Sequence, residues 1–249
     1  MRTILLTNDD GIHAEGLEVA AALLRRYGRV VTVAPDRERS GSAHALTLTQ
    51  PLRIQRLGAD AYAIQGTPTD CVNLALHRLL EVRPDLVFAG INHGSNVGHD
   101  VTYSGTVCAA FEGALHGVLS VAVSLAPGGA LRSAELQVVL EQILDKLLER
   151  GLPLRTLLNV NFPAVPPRGI RITAQADGGY RSEIVEKEDP RGGKYYWIGG
   201  KQDPQHSPPA TTDAGALRAG FVAVTPLKLD LTCHASLEVL DSWRLGLEP

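Results

Sequence analysis

Arg2-Thr3-Ile4-Leu5-Leu6-Thr7, followed by Asn8-Asp9-Asp10-Gly11, opens the chain. A short, continuous apolar run of this kind reads as a central strand, buried on both faces of a parallel sheet. In open α/β sheets, ligands bind beyond the carboxyl ends of such strands. Two adjacent carboxylates at that edge repel each other. A fold tolerates the repulsion best when a cation lies between them. The stretch therefore points to an α/β architecture and to a divalent metal site at one sheet edge.

Working outward, strand and helix alternate. A helix is predicted from about Glu15 to Tyr27, with Leu17, Ala20, Ala21 and Leu24 on its apolar face and Gly28 as its C-terminal cap. Val30 to Ala34 reads as a second buried strand, ended by Pro35. Leu46–Gln50, Leu52–Leu57 and Ala61–Gln65 read as shorter strands. Thr67-Pro68-Thr69-Asp70 is a helix start, with Thr67 as N-cap, proline in the first turn and Asp70 as a capping acid. Leu86 to Ala89 is another buried strand, and a small-residue helix is expected from about Thr106 to His116. Strand Val121–Val123 and a long helix from Ser133 to Arg150 complete a pattern that favours a mostly parallel sheet with helices on both faces. After about residue 160, Pro163, Pro166 and Pro167 interrupt that pattern. Tyr180 to Glu188 and Lys194 to Ile198 then read as a long hairpin rich in aromatics. Such a hairpin is poorly stable alone, so it is expected to pack on a partner subunit; folding back on its own sheet is the plainer alternative. Short C-terminal helices are expected over residues 212–219 and 235–244. The expected division is a core of residues 1–160 and an oligomerisation region of residues 161–249 that is not an independent domain.

Bulk properties exclude several roles. The 249 residues suffice for one large core or two modest ones. The net charge of −3 leaves no basic excess to hold a nucleic-acid polymer. Cys71, Cys108 and Cys233 are far apart and form no zinc or redox spacing, which suits a reducing compartment. No signal peptide precedes the first strand and no apolar stretch reaches spanning length, so a cytoplasmic protein without a membrane partner is expected.

Four loops carry the chemistry: Asn8 to Gly11, Asp36 to Ser42, Gly90 to Gly98, and Tyr103 to Thr106. In a parallel sheet all four emerge on the same edge. Asp9 and Asp10 supply charge, while Ser40 and Asn92 supply neutral oxygens. Magnesium and manganese prefer such oxygen ligands and keep positions open for water and a substrate oxygen. Backbone N–H groups near Ser104, Gly105 and Thr106, favoured by the helix dipole, suit phosphate oxygens. Glycines such as Gly41 let backbone approach a ligand closely. Each piece has a plainer reading, since Asn-Asp-Asp-Gly is a common turn and Ser104 a common helix cap. Four coincidences on one edge favour the joint reading. His44, His93 and His99 flank these loops as candidate proton carriers or supporting groups. His77, His116, His206 and His234 carry no spacing signal. No Walker-type loop or Gly-x-Gly-x-x-Gly fingerprint is present, which disfavours nucleoside triphosphate and NAD chemistry.

At Thr7-Asn8-Asp9-Asp10-Gly11-Ile12-His13-Ala14, Ala34-Pro35-Asp36-Arg37 with Arg39-Ser40-Gly41, Gly66 to Cys71, Gly90-Ile91-Asn92 with Gly94 and Asn96, and Tyr103 to Val107, the chain resembles the SurE family of survival-protein phosphatases, which act as 5′/3′-nucleotidases. The resemblance spans about the first 120 residues in order. It implies metal ligands at Asp9, Asp10, Ser40 and Asn92, and phosphate contacts near Asn96 and the Ser104-Gly105-Thr106 turn with Gly41 beside them. It also implies one divalent ion per subunit, a Rossmann-like core in a three-layer sandwich, and a swapped C-terminal arm in a homodimer or homotetramer. Some members also act on polyphosphate.

The expected function is a metal-dependent phosphomonoesterase acting on nucleoside 5′-, and in some family members 3′-, monophosphates. Asp9 or Asp10 holds the metal and takes a proton from water, and Asn96 with the helix N-terminus stabilises the transition state. An aspartyl-phosphate route through one of the same carboxylates is the mechanistic alternative. A non-catalytic nucleotide-binding module is the functional one. A signalling receiver domain also places an acidic pair after its first strand, but it needs a lysine after its fifth. The first lysine here is Lys146, inside the long helix.

Overall fold

The computed structural model describes residues 1–178, 180–202 and 208–246, with only the backbone described for 180–182 and 200–202. His206 lies outside the described residues. Nine strands form one sheet in the order β3-β4-β2-β1-β5-β6-β7-β11-β8. They are β1 (Arg2–Thr7), β2 (Gly28–Pro35), β3 (Ile54–Arg56), β4 (Ala61–Ile64), β5 (Leu86–His93), β6 (Leu119–Leu125), β7 (Thr156–Phe162), β8 (Ile170–Ile172) and β11 (Val222–Lys228). The run from β4 through β2, β1, β5 and β6 to β7 is parallel throughout. β3 and β11 join it antiparallel, and β8 runs parallel to β11.

Helices cover both faces, giving three layers. On one face, α1 (Glu15–Leu24) and α4 (Ala134–Arg150) bury Leu17, Leu24, Leu136, Leu140, Leu144 and Leu147 against Ile4, Leu6, Phe88 and Val121. On the other, α2 (Pro68–Leu74) and α3 (Gly105–Leu115) pack Val72, Val107, Ala110 and Phe111 against Leu5, Val31, Val87 and Ala122. The strand alternation is visible in Ile4, Leu5 and Leu6, which point to opposite layers in turn while all three are fully buried. α2 begins as its sequence indicates, with a reciprocal capping box. The Asp70 N–H donates to the Thr67 hydroxyl at 3.0 Å, and the Thr67 N–H donates to the Asp70 carboxylate at 2.9 Å.

From β1 the chain crosses to β2 on one side and later returns to β5 on the other. The strand order reverses there, which opens a crevice beyond the carboxyl end of β1. Asn8 to Gly11 occupies that place.

Three readings from sequence change. Residues 46–50 form no strand. They lie over α2, where the Thr47 N–H and hydroxyl both donate to Asp70 and the Thr67 hydroxyl donates to the Ala45 carbonyl. Side-chain bonds thus take the place of ladder pairing. The expected helix end near Tyr27 comes at Leu24 instead. The boundary placed at 160 falls inside β7, and β8 and β11 extend the same sheet beyond it. β7 had been hidden because its two buried asparagines, Asn159 and Asn161, break an otherwise apolar run.

The hairpin forms as β9 (Tyr180–Glu188) and β10 (Lys194–Gln202), a separate two-stranded sheet. Asp189 closes its turn, accepting the Arg191 and Gly193 N–H groups at 2.7 and 3.0 Å. Ile184, Tyr196, Trp197 and Ile198 stay exposed on it. Two short helices complete the chain, α5 (Asp213–Arg218) and α6 (His234–Asp241).

Candidate metal and phosphate site

The turn after β1 is shaped by Asn8. Its Nδ2 donates to the Gly11 carbonyl at 2.9 Å, and the Gly11 N–H donates to its Oδ1 at 3.2 Å. This turn holds Asp9 inward, 4 % exposed, and leaves Asp10 half-buried. The Thr106 hydroxyl and backbone N–H both donate to the Asp9 carboxylate. Asp9 therefore sits at the N-terminus of α3, where the helix dipole favours an anion. The next loop is tied here too, because the Arg39 N–H donates to the Asp9 carbonyl at 2.7 Å. On the far side, the His93 N–H reaches the Asp10 carboxylate at 3.3 Å, which brings the end of β5 to the acidic pair.

Gly105 is where these parts meet. A Cβ there would stand 2.7 Å from Ser42 Oγ and 2.9 Å from Asp9 Cβ, so only glycine lets α3 start this close to the carboxylate. Gly90 plays the same part in β5. Its φ is +128°, and a Cβ would meet the Val123 carbonyl oxygen at 2.2 Å.

The electrostatics of the acidic pair are set by burial and by neighbouring charge. Burial pushes the Asp9 carboxyl above its ordinary range; the Thr106 hydroxyl opposes the rise and the Asp10 charge adds to it. Burial also pushes Asp10 up, opposed by the His93 N–H and reinforced by the Glu38 charge. Three acidic side chains thus share one edge, and Glu38 was not foreseen from sequence. The Ser40 hydroxyl donates to Glu38 at 3.0 Å rather than to the aspartates. The Asn92 amide nitrogen is spent on the Gly94 carbonyl at 2.7 Å, so its amide oxygen is the part left to offer a cation. Among the described residues no group of three or more His, Cys, Asp or Glu side chains is arranged to hold a metal. The donor set consists instead of two carboxylates, a hydroxyl and an amide, all hard oxygens.

Asn96 is held from all sides. Its N–H donates to Asn161 Oδ1 at 2.7 Å, and its Nδ2 donates to Ser124 Oγ at 2.8 Å. Its carbonyl accepts from Asn159 and Asn161 at 2.8 and 3.0 Å. Ser124, Asn159 and Asn161 were missed in the sequence; polar residues inside buried strands were the available signal. Further along, Asp213 is fully buried and accepts the Gly98 and Ala176 N–H groups at 3.0 and 2.9 Å. Gln175 donates to the Gly98 carbonyl at 2.7 Å. His99 pairs with Gly178 through backbone and ring, and so braces the loop rather than facing the acids. The Ser104 hydroxyl caps α3 by accepting from Val107 at 3.1 Å, and Gly41 stands in open space with φ +74°. With Thr106 committed to Asp9, the Ser42 hydroxyl, which has no partner among the described residues, is a donor open at this turn.

Known proteins match the chain along almost its whole length. The family described as survival protein SurE matches residues 4–182. A protein named 5′-nucleotidase SurE from Geobacter sulfurreducens is 50% identical over 247 residues, covering 98% of this chain and 94% of that one. Its namesake from Syntrophotalea carbinolica is 52% identical over 245 residues, covering 97% of each. The crystal structure of a SurE protein from Aquifex aeolicus superposes with a TM-score of 0.85 at 40% identity, covering 98% of this chain and 100% of that one. Motif order, sheet topology and these likenesses converge: the chain belongs to the survival protein SurE family.

Proposed function

We infer that the protein is a 5′-nucleotidase, a phosphomonoesterase that hydrolyses nucleoside monophosphates to nucleoside and phosphate with one divalent cation per subunit. The observation that carries this reading is the pair Asp9 and Asp10, desolvated side by side at the mouth of a helix N-terminus. Buried like charges are costly without a counter-ion, and the neighbouring oxygens fit a hard one. Among the described residues, buried side-chain atoms without a hydrogen-bond partner gather at the same edge, on Thr7, Arg39, Ser42 and Thr69. Groups of that kind await water, an ion or a ligand.

Asp9, Asp10, Ser40 and Asn92 would hold the cation, which supplies charge neutralisation of the phosphoryl group and a more acidic water. Ser40 would offer its oxygen lone pairs, since its O–H is given to Glu38. Asp9 is fixed by Thr106, so it serves as the rigid anchor. Asp10 is more open and is the better placed of the two to take a proton. Ser42 Oγ and the Gly105 N–H, the one at the start of α3 that Asp9 and Ser104 do not take, would receive phosphate oxygens, and the second N–H of the pinned Asn96 amide would stabilise the charge that develops on them. The hairpin, with its exposed aromatics, would embrace a partner subunit in a homodimer or homotetramer, so that residues 161–249 serve both site and assembly. Its three unpaired cysteines are compatible with work in the cytoplasm.

Purified protein incubated with AMP tests the reading. Phosphate release is expected with added Mg²⁺ or Mn²⁺ and is expected to stop in EDTA. Nucleotide binding without release would instead make the chain a non-catalytic module.

A further inference from the structure

Glu112 is a carboxylate for which the reaction has no use. It lies in the middle of α3 and is only 5 % exposed. Its Oε2 accepts from His44 Nε2 at 2.9 Å. Its Oε1 accepts from Asn73 Nδ2 at 2.9 Å and from His116 Nε2 at 3.2 Å. His77 meets the His116 ring edge-on, with centroids 4.8 Å apart. Burial alone would raise the Glu112 pKa, but these donors outweigh it and bring it down to about 2. An ionised carboxylate only accepts, so His44 and His116 each present an Nε2–H to it.

The donors differ in origin. Asn73 belongs to α2, and His116 directly follows α3. His44 alone comes from the loop that follows β2. That loop is anchored at its start by the Asp36 N–H on the Ile64 carbonyl and by the Arg39 N–H on the Asp9 carbonyl. At its far end, the Ala43 N–H donates to the Tyr103 carbonyl at 3.1 Å, and His44 reaches Glu112. These two ties run to α3 or to the residues that lead into it; just beyond them, the Ala45 carbonyl and Thr47 are tied to Thr67 and Asp70 at the start of α2. Ser40 and Ser42 lie between the anchors. Ser42 Oγ is packed on the Gly105 backbone with no partner among the described residues.

We propose that His44, held by Glu112, is a positioning residue: it clamps the serine loop to α3 and so fixes the spacing of Ser40 and Ser42 from Asp9 and the helix N-terminus. The proposal rests on the metal and phosphate reading of that cleft. His44 itself touches neither ion nor substrate. A hydrogen bond to a buried carboxylate makes the clamp directional and hard to replace, because the carboxylate oxygen has no other partner of the right reach.

The test compares the full-length wild type with His44→Ala and His44→Gln. Glutamine carries its Nε2–H at about the reach of imidazole Nε2 and restores a donor without the ring. Hydrogen exchange of residues 36–44 is expected to quicken about tenfold or more in His44→Ala, with the rest of the chain unchanged. The Mn²⁺ dissociation constant is expected to rise about 10-fold and kcat on AMP to fall by about 10- to 100-fold, at a similar melting temperature. His44→Gln is expected to recover most of each. Unchanged exchange in His44→Ala would overturn the clamp. Quickened exchange with unaltered Mn²⁺ affinity and kcat would overturn its role in positioning. If the wild type itself releases no phosphate from AMP with any added divalent ion, the functional reading fails, and the exchange data still judge the clamp.

Discussion

At the scale of single residues, the acidic pair sets stability against function. Asp9 and Asp10 are held in surroundings that resist ionisation; the Asp10 charge adds to the cost at Asp9, and the Glu38 charge adds to the cost at Asp10. Asp10→Asn is expected to lower phosphate release from AMP at least about a hundredfold by removing a ligand, while the metal-free protein melts at a higher temperature than wild type. Calorimetry in EDTA checks the second half; a lower melting temperature would show that the pair is not frustrated. Glu112 has the opposite sign. Its pKa is lowered from 4.5 to about 2, so its contribution is fully present above pH 4.5 and is lost as pH falls towards 2. That shift corresponds to about 3 kcal/mol. Wild type and Glu112→Gln should therefore differ most in urea midpoint at neutral pH and converge in acid. Much of this scale was legible beforehand. Asp9 and Asp10 follow β1, and Asn92 lies near the end of the neighbouring β5, one residue before the His93 N–H that reaches Asp10. The partners were not legible, since Thr106, Glu38 and His93 reach the acids through space from a helix, a loop and a strand end.

At the scale of elements, the asparagine loop after β5 is stabilised by segments far away in sequence. Asp213 at the start of α5 receives the Gly98 and Ala176 N–H groups in buried surroundings and the Ala214 N–H in part-buried ones. Asp213→Ala leaves those donors unmet, at a cost of about 1–3 kcal/mol for each one that water cannot reach. The expected result is a clearly lower melting temperature together with loss of nucleotidase activity, although Asp213 lies outside the cleft. A variant that melts lower yet keeps wild-type kcat would show that the loop needs no such brace. The element pattern of the first half was readable because apolar periodicity and capping residues agree there. α2 declares itself through Thr67, Pro68 and Asp70, and α4 through its leucines. β7 and β11 were not readable. β7 carries Asn159 and Asn161 in its core, and β11 carries Pro226, whose missing N–H argues against a strand until its neighbours are known.

At the scale of the whole molecule, the hairpin of β9 and β10 is the least self-sufficient part. Among the described residues it pairs only with itself, and it shows Tyr196, Trp197 and Ile198 at its surface, an arrangement that a lone two-stranded ribbon rarely sustains. Trp197→Glu combined with Ile198→Glu is expected to shift the mass in solution, read by light scattering, to that of one subunit, with circular dichroism unchanged. A wild type that is already monomeric would remove the arm from assembly altogether. The order of residues was enough to establish an α/β sandwich and to point to the sheet edge proposed as the site, because local periodicity and the sheet-edge rule depend on neighbours along the chain. Folding in three dimensions alone decided that Glu112 grips His44, that Asn161 and Asp213 brace the Asn96 loop, and that strands beyond residue 160 complete the sheet. Those contacts join residues separated by dozens of positions, and no local pattern encodes which buried donor will meet which buried acceptor.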